Sequence, residues 1–289
     1  MSRIAYVNGA YVPQRDASVN IEDRGYQFGD GIYEVVHIHN GRFIDEKLHL
    51  DRLERSLREM ALPMPMSRAA LRLIIAEMVR RNRITEGLVY MQITRGVARR
   101  DHAFPKNPVP PALVMTAKRV QDYPTNVDAW TGTAITHPDL RWDRRDIKTI
   151  NLLPNCMARQ AAREKGAMEA ILYDDKGMVT EGAATSFWIV DEHGVIRCPP
   201  LGHAILPGCT RAALLAELDG TGLVVEDRAF SLDEMKRARE AFITSATSFV
   251  KPIVKIDGVP VADGKVGPVV RQLFEIFARH VSGGLKNAA

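Results

Sequence analysis

Residues 146–151 read DIKTIN, and this segment decides how the rest of the chain is interpreted. Lys148 lies between the β-branched residues Ile147 and Thr149, a pattern that predicts a strand whose lysine points into the protein. Burial favours the neutral form of an amine, and a neutral lysine amine can form a Schiff base with an aldehyde. The common alternative is a lysine at a strand end whose amine reaches water. Other parts of the chain must decide between these interpretations.

An acidic residue in the second half of the chain suits an aromatic aldehyde cofactor. Glu181 precedes Gly182, Ala183 and Ala184, small residues that let a flat ring approach the backbone. A carboxylate here can hydrogen-bond a pyridine nitrogen and keep it protonated, so that the ring withdraws electrons. Considered alone, a glutamate at this position is more often an exposed turn residue.

Residues 206–211, LPGCTR, suit a phosphate group. A glycine before a helix exposes backbone N–H groups and the helix dipole favours an anion, while Thr210 adds a hydroxyl next to Cys209. The alternative is a threonine that only caps its own helix. Together with Lys148 and Glu181, this segment predicts pyridoxal 5'-phosphate as the cofactor.

Two weaker candidates could serve the same phosphate. Residues 244–247, TSAT, place hydroxyl groups at the end of a predicted strand. Arg52 could add a positive charge, although most helix arginines are solvated. Neither motif is specific without the others.

A basic loop in the first half suits a substrate carboxylate. Residues 95–102, RGVARRDH, gather several cations, and in an extended loop the side chains of Arg100 and His102 would project together. Tyr33 could offer its phenol to the same group, although strand tyrosines usually pack. The alternative for the loop is a solvated basic connection.

Composition narrows the class of protein. With 289 residues, 46% hydrophobic and 26% charged residues, the chain has the profile of a globular protein with two domains. The 39 Lys and Arg residues are interspersed with 35 Asp and Glu residues, for a formal charge of +4, so nucleic-acid binding is not indicated. The three cysteines form no disulfide or metal pattern, and no signal peptide or membrane span is evident. We expect a cytoplasmic protein with no bound metal.

The order of predicted elements favours two α/β domains. Residues 1–120 combine hairpins at Asn8-Gly9 and Asn40-Gly41 with two helices and two later strands. Polar, proline-broken residues 121–128 predict a linker. Residues 129–289 predict strand pairs, a helix from Pro154 to Lys165, a helix capped by Thr210, a capping box at Ser231 and Glu234, and a terminal helix that begins near Pro268.

Several segments, in this order, resemble the fold type IV family of pyridoxal-phosphate enzymes. The resemblance covers nearly the whole chain and is strongest to the members that transfer amino groups from D-amino acids. The segments that carry it are residues 22–31 (EDRGYQFGDG), 33–36 (YEVV), 51–53 (DRL), 94–96 (TRG), 146–148 (DIK), 151–153 (NLL) and 180–182 (TEG).

This resemblance implies a two-domain α+β chain, with a small N-terminal α/β domain and a larger C-terminal domain that contains a barrel-like sheet. It implies a Schiff base between Lys148 and pyridoxal 5'-phosphate, with Glu181 on the pyridine nitrogen. The phosphate ligands it implies are Arg52, Cys209, Thr210, Ser245, Ala246 and Thr247, and the α-carboxylate ligands are Tyr33, Arg100 and His102. In the family the last two reach across from the neighbouring subunit. We therefore expect a homodimer with the cofactor in the crevice between domains.

Two departures from the family pattern concern the cofactor. Residues 181–186 read EGAATS where similar enzymes have a run of serines followed by asparagine, and Ala246 stands where a threonine often donates to the phosphate. Fewer hydroxyl contacts are therefore expected near the ring, and Ser245, Thr247 or the backbone would have to serve the phosphate.

The implied reaction is ping-pong transamination between a D-amino acid, such as D-alanine, and a 2-oxo acid, such as 2-oxoglutarate. Lys148 would remove the α-proton and return it to the C4′ carbon of the cofactor. Rival activities of the same fold are those of a branched-chain L-aminotransferase, an (R)-amine transaminase and an aminodeoxychorismate lyase. The most distant alternative is a phosphate-ligand-binding protein without catalysis.

Overall fold

The computed structural model of the chain describes residues 3–121 and 124–283. The chain divides into two compact units, one formed by Met1–Tyr123 with Ile147–Asn151 and the other by Pro124–Asp146 with Leu152–Ala289. The segment that carries Lys148 belongs to the first unit, although the sequence on both sides of it belongs to the second. The predicted linker, 121–128, includes residues 122 and 123, which lie outside the described residues. The domain bounds 1–120 and 129–289 stay a prediction.

Within residues 3–121 and 147–151, the first unit contains a six-stranded antiparallel sheet and three α-helices. The strands run in the order β2-β1-β6-β5-β3-β4. Both predicted hairpins are confirmed, because Asn8-Gly9 and Asn40-Gly41 take the positive φ angles that tight hairpin turns require. The elements are β1 Ile4–Val7, β2 Ala10–Pro13, α1 Arg24–Phe28, β3 Gly31–His39, β4 Arg42–Phe43, α2 Glu46–Glu59, α3 Arg68–Asn82, β5 Gly87–Thr94 and β6 Ala112–Arg119.

The core of the first unit lies between this sheet and the apolar faces of α2 and α3. Leu50, Leu53 and Leu57 recur at helical spacing along α2 and are buried against the sheet. Ser67 caps α3, because its side chain accepts a hydrogen bond from the backbone N–H of Ala70. The helices therefore support the back of strand β3, which carries Tyr33.

The Lys148 segment is not the strand that its sequence predicts. Only Thr149 forms a β-bridge, with Ile32, and the N–H of Ile150 donates to the carbonyl of Gly31 at 3.1 Å. Strand β3 is paired with β5 from Gly31 to Ile38, and β4 pairs only with the far end of β3. The segment therefore adds a few backbone hydrogen bonds to the start of β3 instead of forming a strand of its own.

The second unit contains a mixed nine-stranded sheet that curls into a half-barrel. The order is β12-β11-β10-β13-β14-β7-β8-β9, and β15 pairs with β14. Three neighbouring pairs are parallel: β7 with β8, β7 with β14, and β11 with β12. The strands are β7 Gly132–Pro138, β8 Glu169–Tyr173, β9 Val179–Gly182, β10 Ser186–Val190, β11 Ile196–Cys198, β12 Val225–Asp227, β13 Glu240–Ser245, β14 Phe249–Ile256 and β15 Val259–Pro260.

In the part of this unit that the structure describes, up to residue 283, four α-helices accompany the sheet: α4 Leu153–Glu164, α5 Cys209–Ala216, α6 Leu232–Arg237 and α7 Pro268–Ser282. The predicted capping box is confirmed at the start of α6, where Ser231 and Glu234 bond each other's backbone N–H groups. Pro268 occupies the first turn of α7, as predicted. Among the described residues, no helix is both long enough and apolar enough to span a bilayer.

Candidate active site

Lys148 lies beside Tyr33 in the first unit. Its Nζ is 3.2 Å from the Tyr33 hydroxyl and 4.2 Å from the centroid of the same ring. The backbone fixes the pair, because the N–H of Tyr33 donates to the carbonyl of Lys148 at 3.0 Å. The half-buried amine is therefore held against a phenol, and the structure brings together these two residues of the predicted site.

A second tyrosine, which sequence reasoning did not identify, supports the first. The rings of Tyr33 and Tyr90 stack with centroids 5.6 Å apart, and the Tyr90 hydroxyl donates to the side-chain carbonyl of Gln92 at 2.7 Å. Burial, and to a lesser extent Tyr33, raises the pKa of Tyr90 to about 12, so this phenol stays neutral. Tyr33 pairs with Gln92 in the sheet, and residues two apart share a face. Strand alternation was the signal that could have found Tyr90.

Arg52 is buried on α2 and paired with Glu34 of β3. Its Nε and Nη2 donate to the two carboxylate oxygens at 2.7 and 2.9 Å, and His49 Nδ1 lies 2.8 Å from one of them. Burial alone would raise the pKa of Glu34, but Arg52 and His49 hold it well below its usual 4.5. The structure thus gives Arg52 a fixed orientation, and its contact with a phosphate stays a prediction.

Arg100 and His102 meet at one aromatic ring in the first unit. The Arg100 guanidinium carbon is 5.1 Å from the Phe28 centroid, and the His102 ring centroid is 5.6 Å from it. Both side chains are exposed. The structure therefore brings the two predicted carboxylate ligands together, on a loop between β5 and β6.

Glu181 lies on β9 in the second unit and is 5% exposed. Its carboxylate accepts from the guanidinium of Arg141 and, at 3.3 Å, from the backbone N–H of Leu206. Arg141 is shared, because its Nη2 also donates to Asp139 at 2.8 Å. Burial raises the pKa of Glu181, and Arg141 offsets this only in part. Sequence reasoning missed Arg141 and Asp139, although the charged run after β7 contains both.

The residues of the second unit that are predicted to bind a phosphate lie at the start of α5. The N-cap is Gly208, and Thr210 is the second residue of the helix, so the prediction that Thr210 caps it is wrong. The physical reason is close packing: a Cβ on Gly208 would lie 2.7 Å from the Ser186 hydroxyl, so glycine makes the turn into the helix. The first N–H groups of a helix have no partner inside it. Cys209 and Thr210 supply two such groups.

A hydroxyl-bearing turn follows β13 at the same end of the sheet. Ser186 of β10 pairs with Thr244 of β13, and β13 ends at Ser245 and leads into a turn at residues 246–248. The Ser245 and Thr247 hydroxyl oxygens are 3.1 Å apart. Because Ser186 also borders Gly208, the start of α5 and this turn lie on the same side of the second unit.

These donors fit pyridoxal 5'-phosphate. The second unit provides a buried carboxylate for a pyridine nitrogen and, from Leu206 onward, a backbone that leads into a helix start suited to phosphate. The first unit provides the amine of Lys148 beside Tyr33. Within residues 3–121 and 124–283, no group of three or more His, Cys, Asp and Glu residues is arranged to hold a metal ion.

Comparisons with known proteins identify the family of the chain. Residues 31–256 match the model of the Amino-transferase class IV family. The chain is 41% identical over 280 residues to D-alanine aminotransferase of Listeria monocytogenes, covering 96% of this chain and 95% of that protein. It is 37% identical over 276 residues to D-alanine aminotransferase of Staphylococcus aureus, covering 96% and 97%.

Solved structures show the same fold. Branched-chain amino acid aminotransferase of Escherichia coli superposes with a TM-score of 0.89 at 22% identity, covering 100% of this chain and 97% of that one. A hypothetical aminotransferase of Mycobacterium tuberculosis, in its PLP-bound form, gives a TM-score of 0.81 at 20% identity, covering 97% and 99%. At these identities the likeness concerns the fold alone, and the predicted fold type IV architecture is confirmed. The chain belongs to the class IV aminotransferase family.

Proposed function

We propose that this chain transfers the amino group of a D-amino acid, such as D-alanine, to a 2-oxo acid such as 2-oxoglutarate. The observation that carries the proposal is the contact of 3.2 Å between Lys148 Nζ and the Tyr33 hydroxyl. A phenol at this distance orients the amine, and an oriented amine can act as a general base. The relatives named D-alanine aminotransferase support the choice of substrate.

The cofactor of this reaction is pyridoxal 5'-phosphate. When bound, it withdraws electrons from the substrate and so stabilises the charge left when the α-proton leaves. We assign Glu181 to hold the proton on the pyridine nitrogen, because a buried carboxylate with a raised pKa favours a cationic partner. We assign the N–H groups of Cys209 and Thr210, residues 245–247 and Arg52 to the phosphate.

Each remaining residue has one task in the proposed reaction. Lys148 Nζ accepts the α-proton of the substrate and later returns it. Arg100 and His102 bind the α-carboxylate, with the Tyr33 hydroxyl as a third donor. The position of this carboxylate selects the enantiomer of the substrate, since it decides whether the α-hydrogen faces the lysine.

Lys148→Ala tests the assignment of the base. We expect turnover to fall by at least about 10²–10⁴-fold, the usual contribution of one positioned acid–base group, while the phosphate contacts still retain cofactor. Lys251→Ala is a matched control, because Lys251 Nζ lies 3.6 Å from the Trp130 ring centroid and burial lowers the pKa of its amine. Near-normal transamination by Lys148→Ala, or an equal loss in both variants, would exclude Lys148 as the base.

A panel of amino donors tests the substrate class. With 2-oxoglutarate as acceptor, we expect D-alanine to react much faster than L-leucine or 1-phenylethylamine. Preference for L-leucine would indicate a branched-chain L-aminotransferase, and preference for the amine would indicate an (R)-amine transaminase. Release of pyruvate from aminodeoxychorismate without any 2-oxo acid would indicate the lyase.

A homodimer is part of the proposal. Large apolar side chains are exposed around the loop that carries Arg100: Ile21 is 77%, Tyr26 72% and Phe104 55% exposed. The Asp23–Val97 bridge joins the two segments that carry them. Apolar side chains gathered at one place suit a protein interface, and a second copy of the chain would cover them while Arg100 and His102 reach its site. We place this assembly in the cytoplasm.

Mixing two impaired variants tests whether the loop acts across the dimer. In a mixture of Lys148→Ala and Arg100→Ala subunits, each mixed dimer would contain one site with both residues intact. Random exchange should then restore about a quarter of the wild-type sites. Unmixed Arg100→Ala is the control, and failure of the mixture to exceed it would place Arg100 in its own subunit's site or exclude the dimer.

A further inference from the structure

A buried cluster in the first unit joins two arginines to one carboxylate. Arg24 Nε donates to Asp30 Oδ2 at 2.8 Å. Arg95 donates to both oxygens of the same carboxylate, at 2.7 and 3.0 Å. All three side chains are less than 10% exposed. The two positive charges of the arginines exceed the single negative charge of Asp30. Buried guanidinium groups need further acceptors.

The two arginines find those acceptors in different places. Arg95 donates to the carbonyls of Met60 and Ala61 at 2.8 and 3.0 Å, and so holds the end of α2. Arg24 donates to the carbonyl of Asp101 at 2.6 Å and to that of His102 at 3.4 Å. Arg24 therefore connects the cluster to the loop that carries the proposed carboxylate ligands.

Arg24 contacts the backbone and the aromatic ring beside Arg100 and His102. The carbonyls that it binds belong to His102 and to the residue between Arg100 and His102. Its guanidinium carbon is 4.8 Å from the Phe28 centroid, and Arg100 and His102 contact the same ring. A change in the backbone at residues 101 and 102 would move both ligand side chains.

We infer that Arg24 is a positioning residue for recognition of the substrate carboxylate. Its guanidinium fixes the backbone at residues 101–102, so that Arg100 and His102 present their donors together before the substrate arrives. A preordered pair binds more tightly, because less conformational freedom is lost on binding. The inference rests on the proposed function, in which these two residues bind the α-carboxylate.

The geometry requires arginine at this position. One side chain donates to a carboxylate and to two carbonyls in a planar arrangement, and a guanidinium offers five donors in such a fork. A lysine amine could still pair with Asp30, but it could not keep all three acceptors in this geometry. Arg24→Lys therefore retains the charge of the cluster and loosens the loop.

The experiment measures steady-state kinetics with D-alanine and hydrogen–deuterium exchange of the holoenzyme. For Arg24→Lys we expect KM for D-alanine to rise by about tenfold with kcat nearly unchanged, since misplaced binding groups weaken productive binding. We also expect faster exchange in a peptide that covers residues 97–104. Arg95→Lys is the matched control, since it alters the same carboxylate cluster but holds α2. It should lower the melting temperature and change KM little.

Asp101→Gly provides a second route in case Arg24→Lys does not fold. Asp101 is exposed, and glycine loosens the backbone that Arg24 holds without altering the buried cluster. We expect the same kind of KM increase. Adding Arg24→Lys to an Arg100→Ala background should raise KM less than it does in the wild type, because a positioning effect needs the group that is positioned.

The outcomes separate the inference from the function on which it depends. If Arg24→Lys or Asp101→Gly is folded and has a wild-type KM, or if Arg95→Lys raises KM equally, Arg24 does not position the ligands. If Arg100→Ala itself leaves KM for D-alanine unchanged, the carboxylate assignment in the proposed function fails instead.

Discussion

Two buried glutamates, each paired with an arginine, differ in the direction of their pKa shift. Glu34 in the first unit is 0% exposed and Glu181 in the second is 5% exposed. The pKa of Glu34 is held well below its usual 4.5, whereas burial raises the pKa of Glu181 above it. Burial and an arginine partner therefore do not by themselves decide the charge of a buried carboxyl group.

The difference lies in how completely each carboxylate is satisfied. Glu34 accepts two hydrogen bonds from Arg52 and a third contact from His49, all at 2.9 Å or less. Glu181 shares Arg141 with Asp139, whose pKa is lowered by Arg141 despite its own burial. The negative charge of Asp139 then adds to burial in raising the pKa of Glu181.

This contrast separates a structural ion pair from the carboxylate that we assign to the cofactor. Both oxygens of the Glu34 carboxylate accept hydrogen bonds from Arg52, and one also contacts His49. This pairing holds the arginine in place. Glu181 would gain from a cation beside it, which a protonated pyridine nitrogen supplies. The carboxyl group with the raised pKa, Glu181, is the one that the proposed reaction uses.

Of the two glutamates, Glu181 should have the larger effect on activity when it is replaced. An amide cannot keep the pyridine nitrogen protonated, so we expect Glu181→Gln to lower kcat by about 10²–10³-fold, a typical loss for one electrostatic group in an active site. Glu240→Gln is the matched control: Glu240 is also buried, but it accepts the backbone N–H groups of Val269 and Val270 in α7. Its variant should lose stability and keep kcat. Equal kcat for wild type and Glu181→Gln would exclude a role of Glu181 in the reaction.

Replacing Glu34 should have the largest effect on stability. Glu34→Ala leaves Arg52 and His49 buried without their carboxylate, which typically costs about 3–5 kcal/mol of unfolding free energy. Denaturant unfolding followed by circular dichroism measures this change. Glu77→Ala is the control, since Glu77 also bonds two arginines, Arg80 and Arg81, at 2.6–2.7 Å but at the surface; little change is expected there. Similar losses in both variants would mean that the burial of Glu34 is unimportant.

The pH dependence of stability should have opposite signs at the two sites. A carboxyl group with a lowered folded-state pKa stabilises the protein above its unfolded value, near 4.5, and this contribution declines as the pH falls below it. The advantage of wild type over Glu34→Gln should therefore shrink on acidification. A raised pKa makes ionisation unfavourable in the folded state, so stability relative to Glu181→Gln should decline as the pH rises above 4.5. Melting temperatures of the cofactor-free proteins across this range provide the measurement, and slopes of the same sign would contradict the contrast.

Removing the negative charge of Asp139, which shares Arg141 with Glu181, should have the smallest effect. Asp139→Asn eliminates the repulsion and leaves Arg141 to serve Glu181, so the titration midpoint of Glu181 should move to lower pH. Carboxyl-carbon NMR of the cofactor-free protein measures this midpoint, and the Glu34 signal serves as an internal reference that should not move. An unchanged Glu181 midpoint would show that burial alone raises its pKa.

Much of the secondary structure could be predicted because local patterns determine it. Asn-Gly pairs specify hairpin turns, leucines at helical spacing specify α2, and the Ser231–Glu234 box specifies the start of α6. Strand β14 escaped prediction because Pro252 and two lysines interrupt its apolar run, and proline argues against a central strand. Its neighbours β13 and β7 nevertheless hold it inside the sheet.

The candidate site was predictable in its residue types but not in its contacts. Lys148, Glu181 and the start of α5 have recognisable local sequences. Tyr90 and Arg141 were missed, because each acquires its role from a residue distant in sequence: Tyr90 stacks on Tyr33, and Arg141 bonds Glu181. Arg24 bonds carbonyls that are 77 and 78 residues away.

By itself, the sequence determined the class of fold, the family and the set of chemical groups, because turn residues, helical spacing and ordered motifs are local properties of a chain. Only the tertiary structure decided which carboxyl group is satisfied, which amine faces a phenol and which arginine holds the Arg100 loop. These outcomes depend on burial and on distances of a few ångströms between groups far apart in sequence, and electrostatic energies change steeply with both.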